Sequence, residues 1–203
     1  MSWRERIVVS GEDRSEWLRA RAPYIGASDM KMFANPNSIE KYVAAKIRPK
    51  SFFGNETTQS GHRWEPMILA YLGVPENKAF VHSPTHERIA CTPDGISDRD
   101  PFTLAECKTR HGVIKPDPDA GEWRQLAAQL FCFPEAERVL FGTLTLVRGE
   151  HDEWVEREGG YSRLEVPRDH PKIIAAMGLI IPIAEQVIAA LDAAKQELEE
   201  APF

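Results

Sequence analysis

The sequence predicts an α/β fold with a mixed β-sheet flanked by helices, and three observations carry that expectation. Apolar residues recur at helical spacing up to about position 73 and again after about position 170. Between these stretches short apolar runs alternate with period two and are punctuated by Gly, Pro, Asn and Asp. No repeat, low-complexity tract or linker interrupts the 203 residues, a length that suits one core, so the expectation is a single domain over 1–203.

The elements follow in order. Residues 12–22 predict a helix with Trp17, Leu18 and Ala22 on its apolar side, stopped by Pro23. Ser28-Asp29 reads as the cap of a second helix beginning at about Met30. A third covers roughly 38–47, where Ile39, Tyr42, Val43 and Ile47 keep helical spacing. Residues 48–60, rich in Pro, Gly, Asn, Thr and Ser, predict an exposed loop, and 61–73 a helix closed by Gly73. Strands are expected at 79–82, 87–92 and 102–108, separated by Ser-Pro and Asp-Gly turns. Residues 110–121 hold Gly112, Pro116, Pro118 and Gly121 and read as a loop, followed by a helix at about 122–132. A strand over 139–147 sets Leu140, Gly142, Leu144 and Leu146 on one face, and a further strand is expected at 161–166. Two terminal helices, about 170–180 and 183–199, are divided at Pro182.

Composition narrows the class. With 42% hydrophobic and 28% charged residues the chain has ordinary globular balance. The expectation is that no apolar run approaches a membrane span and that Met1-Ser2-Trp3-Arg4-Glu5 opens no signal peptide, which favours a cytoplasmic protein. Cys91, Cys107 and Cys132 are too few and too irregular for a zinc site, an iron–sulfur cluster or a disulfide framework. His62, His82, His86, His111, His151 and His170 are scattered without ligand spacing. Net charge is −6, but residues 1–50 hold ten Lys or Arg against six Asp or Glu, while 51–203 hold fifteen against twenty-five. A local basic groove is therefore compatible with an acidic total.

The chemistry concentrates in Thr92-Pro93-Asp94-Gly95 and, one short hairpin later, Glu106-Cys107-Lys108. On a strand, Glu106 and Lys108 share one face and Cys107 takes the other. Asp94 and Glu106 can then converge as hard oxygen ligands for Mg2+, with Lys108 beside the water that the metal activates, as hydrolysis of a charged phosphodiester requires. Pro93-Asp94 followed by Glu106-Cys107-Lys108 resembles the PD-(D/E)xK nuclease signature, and the resemblance implies a restriction-endonuclease-like core. Two plainer readings stand beside it, since Pro-Asp-Gly is a common turn and Glu-x-Lys a common solvated strand face. Glu65, before Pro66, is either a helix-dipole partner or an outer acid holding a metal-bound water. Gln125 and Gln129 lie on one face of a helix that follows the Glu-x-Lys strand, so a crossover brings Gln125 back toward the acids.

In this order, over roughly residues 17–147, the motifs resemble those of the phage lambda exonuclease and YqaJ family of PD-(D/E)xK nucleases. Ile25-Gly26-Ala27-Ser28-Asp29 resembles the family's Ile-Gly/Thr-Gly/Ala-Ser opening, and Gly61 to Pro66 its Gly-x3-Glu-Pro helix. Thr92 to Gly95 and Leu104 to Lys108 are similar to its Ser-Pro-Asp-Gly and Leu-Glu-x-Lys hairpin, and Gln125-Leu126 to its Gln-containing helix. The resemblance implies that Asp94 and Glu106, with the main-chain carbonyl of Cys107, bind Mg2+, for which Mn2+ can substitute. It implies that Lys108 orients or activates the attacking water and that Glu65 supports a metal-bound water or a second metal. Gln125 would position Lys108 or the scissile phosphate. Arg21 and Ser28 match residues that grip a 5′-phosphate, and Thr92 keeps a hydroxyl where the family often has Ser. One departure puts the helix register in question: the aromatic usually just ahead of the glutamine is displaced to Trp123.

The implied activity is metal-dependent exonucleolytic digestion of one strand of linear duplex DNA, 5′ to 3′ from a 5′-phosphorylated end, for phage-type recombination by single-strand annealing. A homotrimer, a single-strand annealing partner and a phage or prophage gene expressed in bacterial cytoplasm accompany it. The catalytic residues alone leave open an endonuclease or repair nuclease of the same fold. A non-catalytic DNA-binding or assembly module is the reading from another class.

Overall fold

A computed structural model describes the backbone of residues 2–47 and 56–200, and the side chains of all of these except 56–62 and 197–200. Residues 48–55 of the expected 48–60 loop lie outside the described residues. Two four-stranded sheets form the frame. The first joins β1 (Ile7–Val9), β2 (Ile25–Gly26), β3 (Phe80–His82) and β4 (Ile89–Cys91) in the order β1-β3-β4-β2. Its β2–β4 pair is parallel and the others antiparallel. The second joins β5 (Gly95–Ser97), β6 (Thr103–His111), β7 (Arg138–Arg148) and β8 (Trp154–Pro167) in sequence order. Here β6 and β7 are parallel, a pairing that needs a crossover, and α5 (Ala120–Cys132) supplies it. The remaining helices are α1 (Arg14–Arg21), α2 (Ala27–Met30), α3 (Ile39–Ile47), α4 (Glu56–Leu72) and α6 (Pro171–Glu200).

Alternation along β6 sorts the two faces of the second sheet. Ala105 and Cys107, with Leu140, Leu144 and Leu146 of β7, pack against Ile68, Leu69 and Leu72 of α4. Leu104, Val139 and Phe141 face Leu126 and Leu130 of α5, in a core walled by Ile173, Ile180 and Val187 of α6. Gly142 lets α4 approach: a Cβ there would meet Ile68 at 2.6 Å and Leu72 at 2.8 Å. Glu106 and Lys108, even-numbered like Leu104, therefore fall on the α5 face.

Several elements differ from expectation. Helix α4 begins at Glu56, so residues 56–60 are helical and Glu65 lies in mid-helix, away from the start where dipole stabilisation acts. The second helix begins at Ala27 with Gly26 as its cap residue, and Asp29 Oδ2 accepts the Gly26 N–H at 2.9 Å. Ser28 is thus inside α2 and caps nothing. Leu18 is exposed and α1 buries no residue fully, although Trp17 meets Phe80 edge-on. Pro182 does not divide the terminal helix: it removes one N–H donor, while Ile173, Ala176, Ile180, Ile183, Ala184 and Val187 form one buried stripe across it. The resulting helix is, by length and composition, long and apolar enough to cross a membrane, contrary to the expectation that no such run exists. Its buried stripe closes the larger core.

Arg6 was not singled out in the sequence, yet it is completely buried. It donates to the carbonyls of His82 and Cys132 and pairs with both oxygens of Glu135 at 2.7 and 2.8 Å, tying β3 to the end of α5. Arg6→Ala should lower unfolding stability by about 3–5 kcal/mol, because it leaves a part-buried carboxylate and two carbonyls without their donor. Denaturant titration checks this, and a loss near zero would mean that the clamp is dispensable.

Candidate active site

The short β5–β6 hairpin sets the first acid. Asp94 stands just before β5, and Asn77 steadies this turn by donating its main-chain N–H to the Asp94 carbonyl and its side-chain amide to the Pro93 carbonyl, both at 2.9 Å. β5 pairs with β6 only as far as Ala105, so the Cys107 N–H is left for a side chain. Asp94 Oδ2 accepts it at 2.6 Å. The acid of the turn is thereby fastened to the peptide between Glu106 and Lys108.

Glu106 is 1% exposed and three donors close on it. Lys108 Nζ and Gln125 Nε2 (2.6 Å) both donate to Oε1, and Gln129 Nε2 donates to Oε2. Helix α5 can deliver these amides because its first turn is anchored to β6. Asp119 and Glu122 form a capping box, and Arg110 grips Glu122 through two 2.8 Å bonds. Trp123, whose displacement raised the question of register, turns into the core and stacks on His170, while Gln125 reaches Glu106.

The charges strain against one another. Burial, then Glu106 and Glu65, hold the Asp94 carboxyl well above the usual carboxylate range, with Lys108 and the Cys107 N–H opposing. Burial, Glu106 and Glu76 raise Glu65 to about 7. Burial would discharge Lys108, but the facing Glu106 and Asp94 outweigh it and hold the ammonium above its ordinary pKa. Burial likewise pushes the Cys107 thiol up, so it is no nucleophile at neutral pH. Among the described residues no three His, Cys, Asp or Glu side chains form a ready-made metal cage, and Glu106 is turned to Lys108 and the two glutamines. The donor set nonetheless fits a hard divalent cation: carboxylates flank one peptide, and their mutual repulsion is what a cation relieves.

A pH dependence follows. With its folded-state value raised above the unfolded one, Glu65 contributes stability that is fully present below the usual carboxylate range and lost as pH rises from that range to about 7, and the Asp94 carboxyl is shifted in the same direction. In EDTA the melting temperature should fall as pH rises from about 4.5 to about 7, less steeply for Glu65→Gln, and Mg2+ should raise it more at the upper end of that range than at the lower. A Glu65→Gln profile parallel to the native one would contradict this.

The residues matched to end-phosphate binding also meet. Arg21 Nη2 donates to Ser28 Oγ at 3.2 Å, and Asp29 Oδ1 lies 3.7 Å from the same nitrogen. The Arg21 guanidinium lies over Trp17 (4.5 Å to the ring centre), whose indole N–H donates to Thr92 Oγ1 at 3.3 Å. Trp17 thus links Arg21 to the strand end that carries Asp94, a role its apolar helix position did not reveal. A cleft of about 400 Å³ is lined by Arg14, Trp17, Lys78, Glu65, Thr92 and Asp94, among others.

This arrangement, sheet and helices together, is the restriction-endonuclease-like fold. The chain belongs to the family of the YqaJ-like viral recombinase domain, whose sequence profile matches residues 16–122. Among solved structures it is similar to an alkaline exonuclease, LHK-Exo, from Laribacter hongkongensis, at TM-score 0.66 and 17% identity over 92% of this chain and 98% of that one. The same enzyme in complex with dAMP aligns at TM-score 0.62 with the same identity and coverage. A phage-related exonuclease from Haemophilus somnus 129PT aligns at TM-score 0.62 and 11% identity over 85% of this chain and 96% of that one. No curated protein matches significantly in sequence.

Proposed function

We propose that the protein is a Mg2+-dependent DNA exonuclease that digests one strand of linear duplex DNA, 5′ to 3′ from a 5′-phosphorylated end. The observation that carries this reading is the fastening of Asp94 to the Cys107 peptide, which brings its carboxylate beside Glu106 and Lys108. Membership of a viral recombinase family and the exonuclease names of the structural neighbours support it. The dAMP bound by LHK-Exo is a nucleoside monophosphate, the kind of product that stepwise removal of nucleotides releases.

Asp94, Glu106 and the Cys107 carbonyl would hold the metal, with Glu65 as outer acid. Bound there, Mg2+ supplies charge neutralisation and lowers the pKa of a coordinated water. Lys108 keeps an ammonium where negative charge grows on the scissile phosphate. Gln125 holds Glu106 in place from α5. Arg21, Ser28 and Thr92 receive the terminal phosphate, which fixes the first internucleotide bond relative to the carboxylates. Mn2+ should replace Mg2+ in this all-oxygen site, and Ca2+ should bind without turnover because its looser shell places water badly. A homotrimer around the duplex, a single-strand annealing partner and action in the cytoplasm of a bacterial host complete the proposal.

Closed circular and linear duplex of one sequence separate end-directed from internal cleavage. The expected result is complete loss of one strand from the linear form, with the circle intact. Linearisation of the circle at a comparable rate would favour an endonuclease or repair nuclease.

A further inference from the structure

Gln129 sits one turn beyond Gln125 on α5 and completes the enclosure of Glu106. Its Nε2 is the donor to Oε2, whereas Lys108 and Gln125 both use Oε1. A carboxylate oxygen offers two acceptor positions. Oε1 is therefore filled, and among the described residues Gln129 alone donates to Oε2, which leaves Oε2 one position to offer. Gln129 is also completely buried, and its own carbonyl Oε1 has no hydrogen-bond partner. The reverse amide orientation would set two acceptors against each other, so it is no remedy. An unpaired buried carbonyl is unfavourable. Leu126, Leu130 and Cys132 around it make an apolar residue the simpler choice for packing alone. The amide is kept in the one place where it reaches the buried side of Glu106.

We propose that Gln129 is a positioning residue. Its amide fixes the rotation of the Glu106 carboxylate from the buried side, so that the remaining acceptor position of Oε2 is presented to a divalent cation. Gln125 and Lys108 are partly exposed and can rearrange when substrate arrives. Gln129 has no such freedom and sets the reference orientation. This inference rests on the metal-dependent reading of the site.

The test uses Gln129→Met, which keeps the unbranched length, and Gln129→Leu, which changes the shape. Mn2+ binding is measured by calorimetry without DNA, beside melting in EDTA and the Mg2+ dependence of digestion. Loss of such a supporting hydrogen bond to a metal ligand typically weakens metal binding or activity about 10–100-fold. The expected result is a Mn2+ affinity weakened by about that factor in whichever variant folds, with little change in KM for DNA. A purely structural glutamine would lower the melting temperature and leave the affinity of the folded variant unchanged. Native Mn2+ affinity in either folded variant overturns the proposal while the nuclease reading stands. If the native protein neither binds Mn2+ nor digests DNA, both fall. Should neither variant fold, the assigned side-chain amide signal of Gln129 in labelled native protein decides. A shift on Mg2+ addition supports the role, and an unmoved signal refutes it.

Discussion

Lys108→Ala should lower the rate of DNA digestion by at least about a hundredfold, the usual consequence of removing a charged partner of the transition state. The fold should survive, because Lys108 is partly exposed and Glu106 retains its bonds to Gln125 and Gln129. Asp94→Ala should be as severe for another reason: it removes a proposed metal ligand and leaves the Cys107 N–H without its acceptor. Glu65→Ala and Gln125→Ala should be strongly impaired with residual activity, since one is a proposed outer acid and the other shares its carboxylate with two further donors. Single-turnover digestion at saturating Mg2+, with circular dichroism melting of each variant, measures all four. Near-native turnover by a normally folded Lys108→Ala would mean that the chemistry lies elsewhere.

The second large effect concerns the DNA end. A terminal phosphate carries more charge than an internal diester, and Arg21 offers it a planar fork with the Ser28 hydroxyl alongside. Asp29 lies near the same guanidinium and Lys46 pairs with Asp29 at 3.0 Å, so the pocket retains net positive charge. Charge-assisted bonds of this kind contribute about 1.5–3 kcal/mol each, or roughly ten- to over a hundredfold in binding. Linear duplex with a 5′-phosphate should therefore be digested at least about tenfold faster than the same duplex with a 5′-hydroxyl. Arg21→Ala should remove most of that preference while sparing metal binding. Equal rates on the two ends by the native enzyme would refute the pocket.

What the sequence disclosed followed from the range of its signals. Period-two alternation is local, so the facing of Glu106 and Lys108 against Cys107 was legible. So was the return of Gln125, because a helix directly after a strand that pairs in parallel has to cross back. The start of α4 was hidden because Glu56 to Ser60 carries polar, turn-prone residues and no apolar period. Pro182 misled because local propensity says stop, while burial on both sides of it keeps the helix whole. Arg6 and Trp17 were opaque for a different reason. Each acts through partners many residues away, His82 and Glu135 for one and Thr92 for the other, and neither spacing nor composition encodes such contacts. Gln129 shared the face of Gln125, but its complete burial was not readable from the sequence. The unusual cost of burying an arginine or a glutamine shows only once burial is known.

The most direct test of the central claim is a time course on linear duplex labelled at one 5′-phosphate, with Mg2+ and with excess EDTA. The expected result is early release of the label as a mononucleotide in Mg2+ and full retention in EDTA. Label released equally well in EDTA, or retained in Mg2+ by fully folded native protein, would contradict a metal-dependent 5′-end exonuclease built on Asp94, Glu106 and Lys108.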